Sequence, residues 1–460
     1  MPHTTRALGA VLGAAALIAA ACGSSAKSTA NAGGTATTAT TATSSASTSP
    51  GGGSGSGSAY KISTSDCTGP NVTKKITGKL TLGWSGPFSG PIAPFAGAVV
   101  QGAKDRFTVA NEAGGVSGVK LAVEQKDDQF NPAMSKTNFD QFISQGNVQV
   151  ATLFGSGNLA AVAADQNLAC LPTLFVNATD NTYRDIAKYP WTTEFLPANN
   201  VEEGAEAKVI EDSFPGQSQI TIAVAEDQTG SGASYVDGLK AAIAGTNMKI
   251  VATAPLTDPN AAAISLKASN ADVLFDAGVV PECLAMTQAV AKVGWKPKLF
   301  VQTSNCGSAQ LMFQPAGAAA DGQKLVFWEK DPGNPLYAND PGWTSYVSEA
   351  KSVDTQAQTG NTYYETGWMI ADMMVNVFQT AAASSLGLSQ AGIMQAARNQ
   401  DYQPPLFING IRWVMNADEA YGIMKMQPLV YKASTGSFAL DGSLIDTCPA
   451  ILGSKCPTGL

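Results

Sequence analysis

The stretch LFGSGN, Leu153 to Asn158, sets a serine between two glycines where an apolar run gives way to the helical pattern LAAVAADQ. A serine in such a turn can be a nucleophile, part of a phosphate cradle, or a donor to some smaller oxygen-bearing group. The nucleophile elbow requires G-x-S-x-G, which FGSGN does not match. The chain's only histidine is His3, and a leader that is cleaved off removes it. No Ser-His-Asp triad, Cys-His dyad or histidine-ligated metal is then available. Paired carboxylates and Ser-Lys chemistry stay formally open, but the commonest general base is gone. The P-loop pattern G-x-x-x-x-G-K-[ST] is not found either, and the turn lacks G-x-G-x-x-G. What remains is a hydroxyl with free backbone N–H groups at a helix start. That arrangement suits a carboxylate or a similar group. The plain alternative is a turn in which Ser156 or Asn158 caps the helix.

The elements that must hold this turn follow from periodicity. Leu80, Leu82 and Trp84 alternate as in a strand, and Val100, Ala103, Phe107 and Ala110 recur at helical spacing until Gly114-Gly115. VKLAVEQKDD, VQVATLF and LPTLFV read as further strands, with helices around Phe139–Ile143 and Ala160–Gln166 between them. The alternation resumes with QITIAVAED, KIVATAPL, ADVLFDAG and KLFVQTS, separated by helices near Tyr235–Ile243 and Leu284–Val293. Strands alternating with helices of this length predict parallel βαβ units. LVFWEKDPGNP reads as an irregular break, followed by a long helix from about Tyr363 to Ala382 and by strands at GIRWVMN and MKMQPLVYKA. AEDQTGSGASY repeats the strand-then-Gly-Ser-Gly order in the second half, and open α/β sheets bind ligands beyond such strand ends. Trp84, Phe88 and Phe95 are candidate pocket or core aromatics, Asp127-Asp128 close a strand, and one of Tyr363 and Tyr364 is a candidate to face a cleft.

The beginning of the chain is an address. Arg6 precedes an apolar run that ends in AAAC at Cys22, too short to span a bilayer and shaped for a signal peptidase. AAAC resembles a bacterial lipoprotein box, so residues 1–21 are expected to be a lipoprotein signal peptide and Cys22 the lipidated terminus. Residues 22–58 are rich in Ser, Thr, Ala and Gly and are expected to be a disordered tether, with residues 59–77 an N-terminal extension. Setting Cys22 aside, six of the seven cysteines remain: Cys67, Cys170, Cys283, Cys306, Cys448 and Cys456. An even number outside the cytoplasm suggests disulfides, with fifteen possible pairings. Sequence proximity favours Cys448–Cys456 and Cys283–Cys306, leaving Cys67–Cys170. A zinc site would need CxxC spacing or histidine. A net charge of −8 argues against nucleic acid.

Taken in order, GPFSGPIAPFAGAVVQGAK, NEAGGVSGVKL, DDQFNP, LFGSGN, PTLFVNATDNTY, AEDQTGSG, FDAGVVPE and LFVQTS resemble the type I periplasmic solute-binding proteins of ABC importers, Leu/Ile/Val-binding branch. The resemblance covers roughly residues 78–441. It implies an α/β fold of two Rossmann-like lobes, with mainly parallel central sheets flanked by helices and a multi-strand hinge. The implied boundaries are 78–197 plus 325–412 for one lobe and 198–324 plus 413–445 for the other, with residues 446–460 a tail. It implies no catalysis, no cofactor and no metal. It also implies a ligand cleft between the lobes, with Ser156, Gly157, Asn158 and the VNAT loop (Asn177, Ala178, Thr179) on a ligand carboxylate. Phe95, Thr229 and Val279 complete the cleft. Amino-acid binders of this branch use a carboxylate for the α-ammonium where this chain has Ser304, with Asp276 or Asp227 the possible substitutes. The ligand is therefore expected to be a small polar molecule: amino-acid-like, a carboxylate or an amide. The implied setting is extracytoplasmic, lipid-anchored to the cell membrane, with permease subunits of an ABC transporter as partners. A lipoprotein sensor signalling occupancy to a partner is the alternative.

Overall fold

The computed structural model describes residues 58–456. The expected signal peptide, Cys22 and all but the last residue of the tether lie outside them. Among the described residues no helix is long and apolar enough to cross a membrane.

The first alternating pattern produces β1 (Lys79–Gly86), α1 (Ala93–Glu112), β2 (Lys120–Asp127), α2 (Pro132–Gln145), β3 (Val150–Leu153), α3 (Ser156–Ala169), β4 (Thr173–Val176) and β5 (Thr192–Glu194). These strands form one parallel sheet in the order β2-β1-β3-β4-β5. The order reverses beside β1, so the loops after β1 and β3 diverge and open a crevice at the strand ends. Both β3 and β4 are buried throughout, which is why their sequences run apolar instead of alternating.

The second pattern gives α4 (Asn199–Ser213), β6 (Ile220–Glu226), α5 (Gly230–Ala242), β7 (Met248–Pro255), α6 (Pro259–Lys267), β8 (Val273–Ala277), α7 (Glu282–Lys292), β9 (Leu299–Gln302) and β10 (Lys324–Phe327). The chain then continues through α8 (Pro341–Val353), α9 (Thr362–Ala383), α10 (Gln390–Ala397), β11 (Gln400–Tyr402), β12 (Trp413–Met415), β13 (Lys425–Lys432), β14 (Ser437–Leu440), β15 (Ile445–Asp446) and α11 (Cys448–Leu452). The second sheet runs β14-β13-β10-β9-β8-β6-β7, with β15 also on β13. Its β7, β6, β8, β9 and β10 are parallel, whereas β13 joins β10 antiparallel. Of the strands after β10, β13, β14 and β15 join the second sheet and β11 pairs with β12 in a sheet of their own, while the long α9 packs on α1 of the first. Phe95 and Tyr363 meet edge to face at 5.1 Å, and Arg106 pairs with Asp372 at 2.7 Å.

All three favoured disulfides form: Cys67–Cys170, Cys283–Cys306 and Cys448–Cys456. The first spans 103 residues and the second 23. In the chain-entropy picture these spans contribute about 4.7 and about 3 kcal/mol. The N-terminal extension is ordered against α10, where Tyr60 N–H donates to Asn399 and Ile62 N–H to Gln395, both at 2.8 Å.

Candidate functional site

The LFGSGN turn sits where the sequence placed it, between β3 and α3. Gly155 occupies the helix N-cap with φ of 92°, a conformation L side chains rarely adopt, and a Cβ there would lie 2.8 Å from the Phe130 ring. Ser156 is therefore the first helical residue. Neither Ser156 nor Asn158 caps the helix. The Ser156 hydroxyl accepts from Thr179 N–H at 3.3 Å, and the Asn158 amide donates to the Phe154 carbonyl at 2.9 Å. No side chain caps the first turn of α3, whose backbone donors are left for another partner.

The VNAT loop is locked beside it. Gly155 N–H donates to Asn177 O and Asn177 N–H to Leu153 O, extending the β3–β4 pairing by one step. Downstream, the fully buried Arg184 ion-pairs with Glu194 at 2.9 Å and donates to the carbonyls of Leu196 and Tyr421. A buried guanidinium with this many acceptors cannot move cheaply, so the loop it anchors is fixed. Thr179 reaches across to the second lobe, its hydroxyl 3.2 Å from that of Ser234 on α5. The start of α5 approaches so closely that a Cβ on Gly230 would lie 3.1 Å from Gly157 N. The two lobes are in contact at this edge.

Between these contacts and the crossing segment lies a cleft of about 940 Å³, its mouth included. Of the expected site residues, Phe95, Ser156, Asn177, Ala178, Thr179, Val279 and Ser304 line it. Gly157, Asn158, Thr229 and Asp276 stand outside that lining. Thr229 caps α5 instead, accepting from Ser231 N–H while hydrogen-bonded to Asp227. Asp276 is wholly buried on β8, neither of its oxygens has a hydrogen-bond partner among the described residues, and burial beside Glu282 holds it well above the usual carboxylate range. Tyr363 faces the cleft, whereas Tyr364 is buried with its hydroxyl on Asp105 at 2.7 Å. Trp84 is core, stacked on Phe154 at 5.6 Å. Asp128 holds its turn by accepting from Ser85 and Ser135.

Several lining residues escaped the sequence reading: Phe130, Phe154, Leu196, Trp328 and Glu329 among them. Glu329 comes two residues after β10, in the segment whose sequence reads only as irregular. An acid following the apolar LVFW was the available signal. The lining is mostly aromatic and aliphatic, and Glu329 is its one carboxylate residue. Behind Ser304 stands Glu202 of α4, which accepts the Ser304 N–H at 2.6 Å. Burial pushes Glu202 up to about 7, and raises Glu203 and Glu206 on the same helix well above the usual range.

A cleft between two α/β sheets, built from strand-end loops and lined mostly by apolar side chains, is the geometry of a ligand receptor. The family model described as periplasmic binding protein matches residues 79–427. The chain belongs to this family. Its members are solute-binding proteins, not enzymes, and the family name implies an extracytoplasmic location. Among its relatives, the Leu/Ile/Val-binding protein homolog 3 of Brucella melitensis is 26% identical over 206 residues, 43% of this chain and 54% of that protein. The chain spans about half the length of the first curated relatives it matches. Among solved structures, a branched-chain amino acid ABC transporter protein from Thermus thermophilus with bound valine superposes with a TM-score of 0.71 at 16% identity, covering 80% of this chain and 96% of that one. A fatty acid ABC transporter substrate-binding protein from Thermomonospora curvata reaches 0.67 at 16% identity, covering 85% and 97%. These periplasmic binding protein neighbours share the type I fold of two lobes. One of these structures holds valine and the other is named for fatty acids, so the shared fold does not fix the ligand.

Proposed function

We propose that the protein is an extracytoplasmic receptor, lipid-anchored through Cys22, that captures a small ligand between its lobes and delivers it to the permease subunits of an ABC importer. The lobes are those bounded by residues 78–197 plus 325–412 and 198–324 plus 413–445. The ligand carries an apolar body and an oxygen-bearing head, as an amino-acid-like molecule, a carboxylate or an amide does. The observation that supports this most is the uncapped first turn of α3. Its backbone donors and the Ser156 hydroxyl meet a cleft lined mostly by aromatic and aliphatic side chains. The positive end of the helix dipole and several N–H donors favour a partly or fully negative oxygen there, and the aromatic walls favour the rest of the molecule. An α-ammonium has no carboxylate at Ser304 to receive it directly, because Glu202 lies behind Ser304, outside the cleft lining.

A thermal-shift screen of small carboxylates, amides and amino acids tests this reading. A ligand at a hundred times its Kd adds about 2.7 kcal/mol of stability. At least one class should raise Tm, and Ser156→Ala should shrink that rise. Hits whose shifts are indifferent to both Ser156→Ala and Thr179→Ala would remove the head group from this turn.

A further inference from the structure

The cleft has a second polar feature, remote in sequence from the Ser156 turn. Glu329 follows β10 and is 2% exposed, in a wall otherwise made by Phe327, Trp328, Phe95 and Tyr363. Its Oε2 accepts from the Thr366 hydroxyl at 2.9 Å, one turn along α9 from Tyr363, and Thr366 also donates to the Thr362 carbonyl. One shared hydroxyl is thin compensation for a carboxyl in an apolar wall. The Tyr363 hydroxyl is shielded from solvent and has no hydrogen-bond partner among the described residues. The Glu329 carboxyl is near enough to add to the effect of burial in raising the Tyr363 phenol. Two hydrogen-bonding groups with spare capacity thus share one patch of an apolar cleft. Such groups cost stability unless something that enters the cleft completes them.

Resting on the receptor reading above, we propose that Glu329 and Tyr363 form a second polar subsite that receives a neutral hydrogen-bonding group, a hydroxyl, at the end of the ligand remote from its oxygen-bearing head. The ligand class is then a bifunctional molecule: an apolar linker or ring with a carboxylate-like head at Ser156 and a hydroxyl at Glu329. A neutral partner fits better than an ammonium. A hydroxyl can donate to Glu329 and accept from the Tyr363 hydroxyl at once, whereas an ammonium only donates and leaves the Tyr363 O–H without an acceptor. Lys330, between Glu329 and Asp331, is already spent on Asp340 at 2.7 Å and on the Pro405 carbonyl. Missing a designed hydrogen bond in a dry site discriminates strongly, because the protein groups are left unpaired.

Two matched probe pairs test this by calorimetry on the mature protein: hexanoate against 6-hydroxyhexanoate, and 3-phenylpropionate against 3-(4-hydroxyphenyl)propionate. In one pair or both, the hydroxylated member should bind roughly tenfold more tightly. That ratio should fall to about one in Glu329→Leu and shrink in Tyr363→Phe, with Glu329→Gln retaining part of it. A merely structural role for Glu329 would weaken both members of a pair alike and leave the ratio unchanged, which overturns the subsite. Equal affinities for both members in the wild type overturn it as well. In either case, loss of binding to the unhydroxylated member in Ser156→Ala would show the receptor reading still standing. If no member of either pair binds, the carboxylate reading fails and the subsite falls with it.

Discussion

The chain holds the same tripeptide at the same topological position in both lobes, and the two copies do different work. In the first lobe Gly155-Ser156-Gly157 opens α3 with no side-chain cap, and Gly155 takes a left-handed backbone. In the second, Gly230-Ser231-Gly232 opens α5, but its donors are already claimed. Asp227 Oδ2 accepts from Thr229 N–H at 3.0 Å and Gly232 N–H at 3.2 Å, and Thr229 accepts from Ser231 N–H at 3.3 Å. Two residues upstream of the tripeptide decide the matter. Thr152, in the place of Asp227, turns its hydroxyl to the Phe175 carbonyl and Leu153 and Phe154 have no side-chain oxygen, whereas Asp227 and Thr229 together cap α5. One helix start has no side-chain cap and the other is closed on itself.

The comparison breaks most severely at the point where the two turns meet. In Gly230→Leu the new Cβ would lie 3.1 Å from Gly157 N and 3.3 Å from its Cα, with a branched chain beyond it. Overpacking of this kind costs ~1–3 kcal/mol, and here it opposes lobe contact selectively. Affinity for the best ligand of the screen should fall by up to ~100-fold while the unliganded Tm moves little. An unchanged affinity would mean that the contact between the turns is not part of the bound state. A finer cut compares the two serines. Ser156→Ala removes a hydroxyl next to uncapped donors and should weaken binding roughly five- to tenfold, whereas Ser231→Ala, also in the cleft wall, should stay within about twofold. Calorimetry on both variants reads the difference, and equal losses would mean that the two turns are equivalent after all.

The fold was legible because its strands are either alternating or uniformly apolar and its turns carry glycine at the right places. The strands at Leu80–Trp84 and VQVATLF, the helix after LFGSGN and the disulfide pairs all emerge where composition and spacing put them. The helices α4, α6, α8 and α10 were not read. In α4 the obstacle is physical: Glu202, Glu203 and Glu206 are buried, so the helix lacks the apolar stripe that periodicity detects. The first wall of the site was legible for a related reason, since strand-end loops can be located from strand patterns. The crossing segment was not. Trp328 and Glu329 become cleft residues only because β10 pairs with β13 and α9 returns to α1, and both contacts join parts of the chain far apart in sequence.

The buried acids of α4 extend the contrast to the ground behind the two walls. Ser156 meets the Thr179 backbone N–H, but behind Ser304 stands Glu202, with its Oε1 on a backbone N–H and its Oε2 without a hydrogen-bond partner among the described residues. Its ordinary value of 4.5 in the unfolded chain rises to about 7 on burial in the fold. The folded state therefore holds a proton that the unfolded state has released. The stabilisation that goes with this proton is complete below 4.5 and lost as pH rises toward 7. Glu203 and Glu206, raised by burial and by the Glu202 charge, act in the same direction. Asp272, lowered to about 2 from 3.8 despite its partial burial, works oppositely but only below 3.8. Tm should consequently decline between pH 5 and pH 7.5, roughly the window set by these shifts. Glu202→Gln keeps an acceptor for Ser304 N–H and discards the titration, so its decline over that window should be shallower by a few degrees. Wild-type and variant curves running parallel would mean that Glu202 reaches water in the folded protein, and that the two walls of the cleft are backed alike.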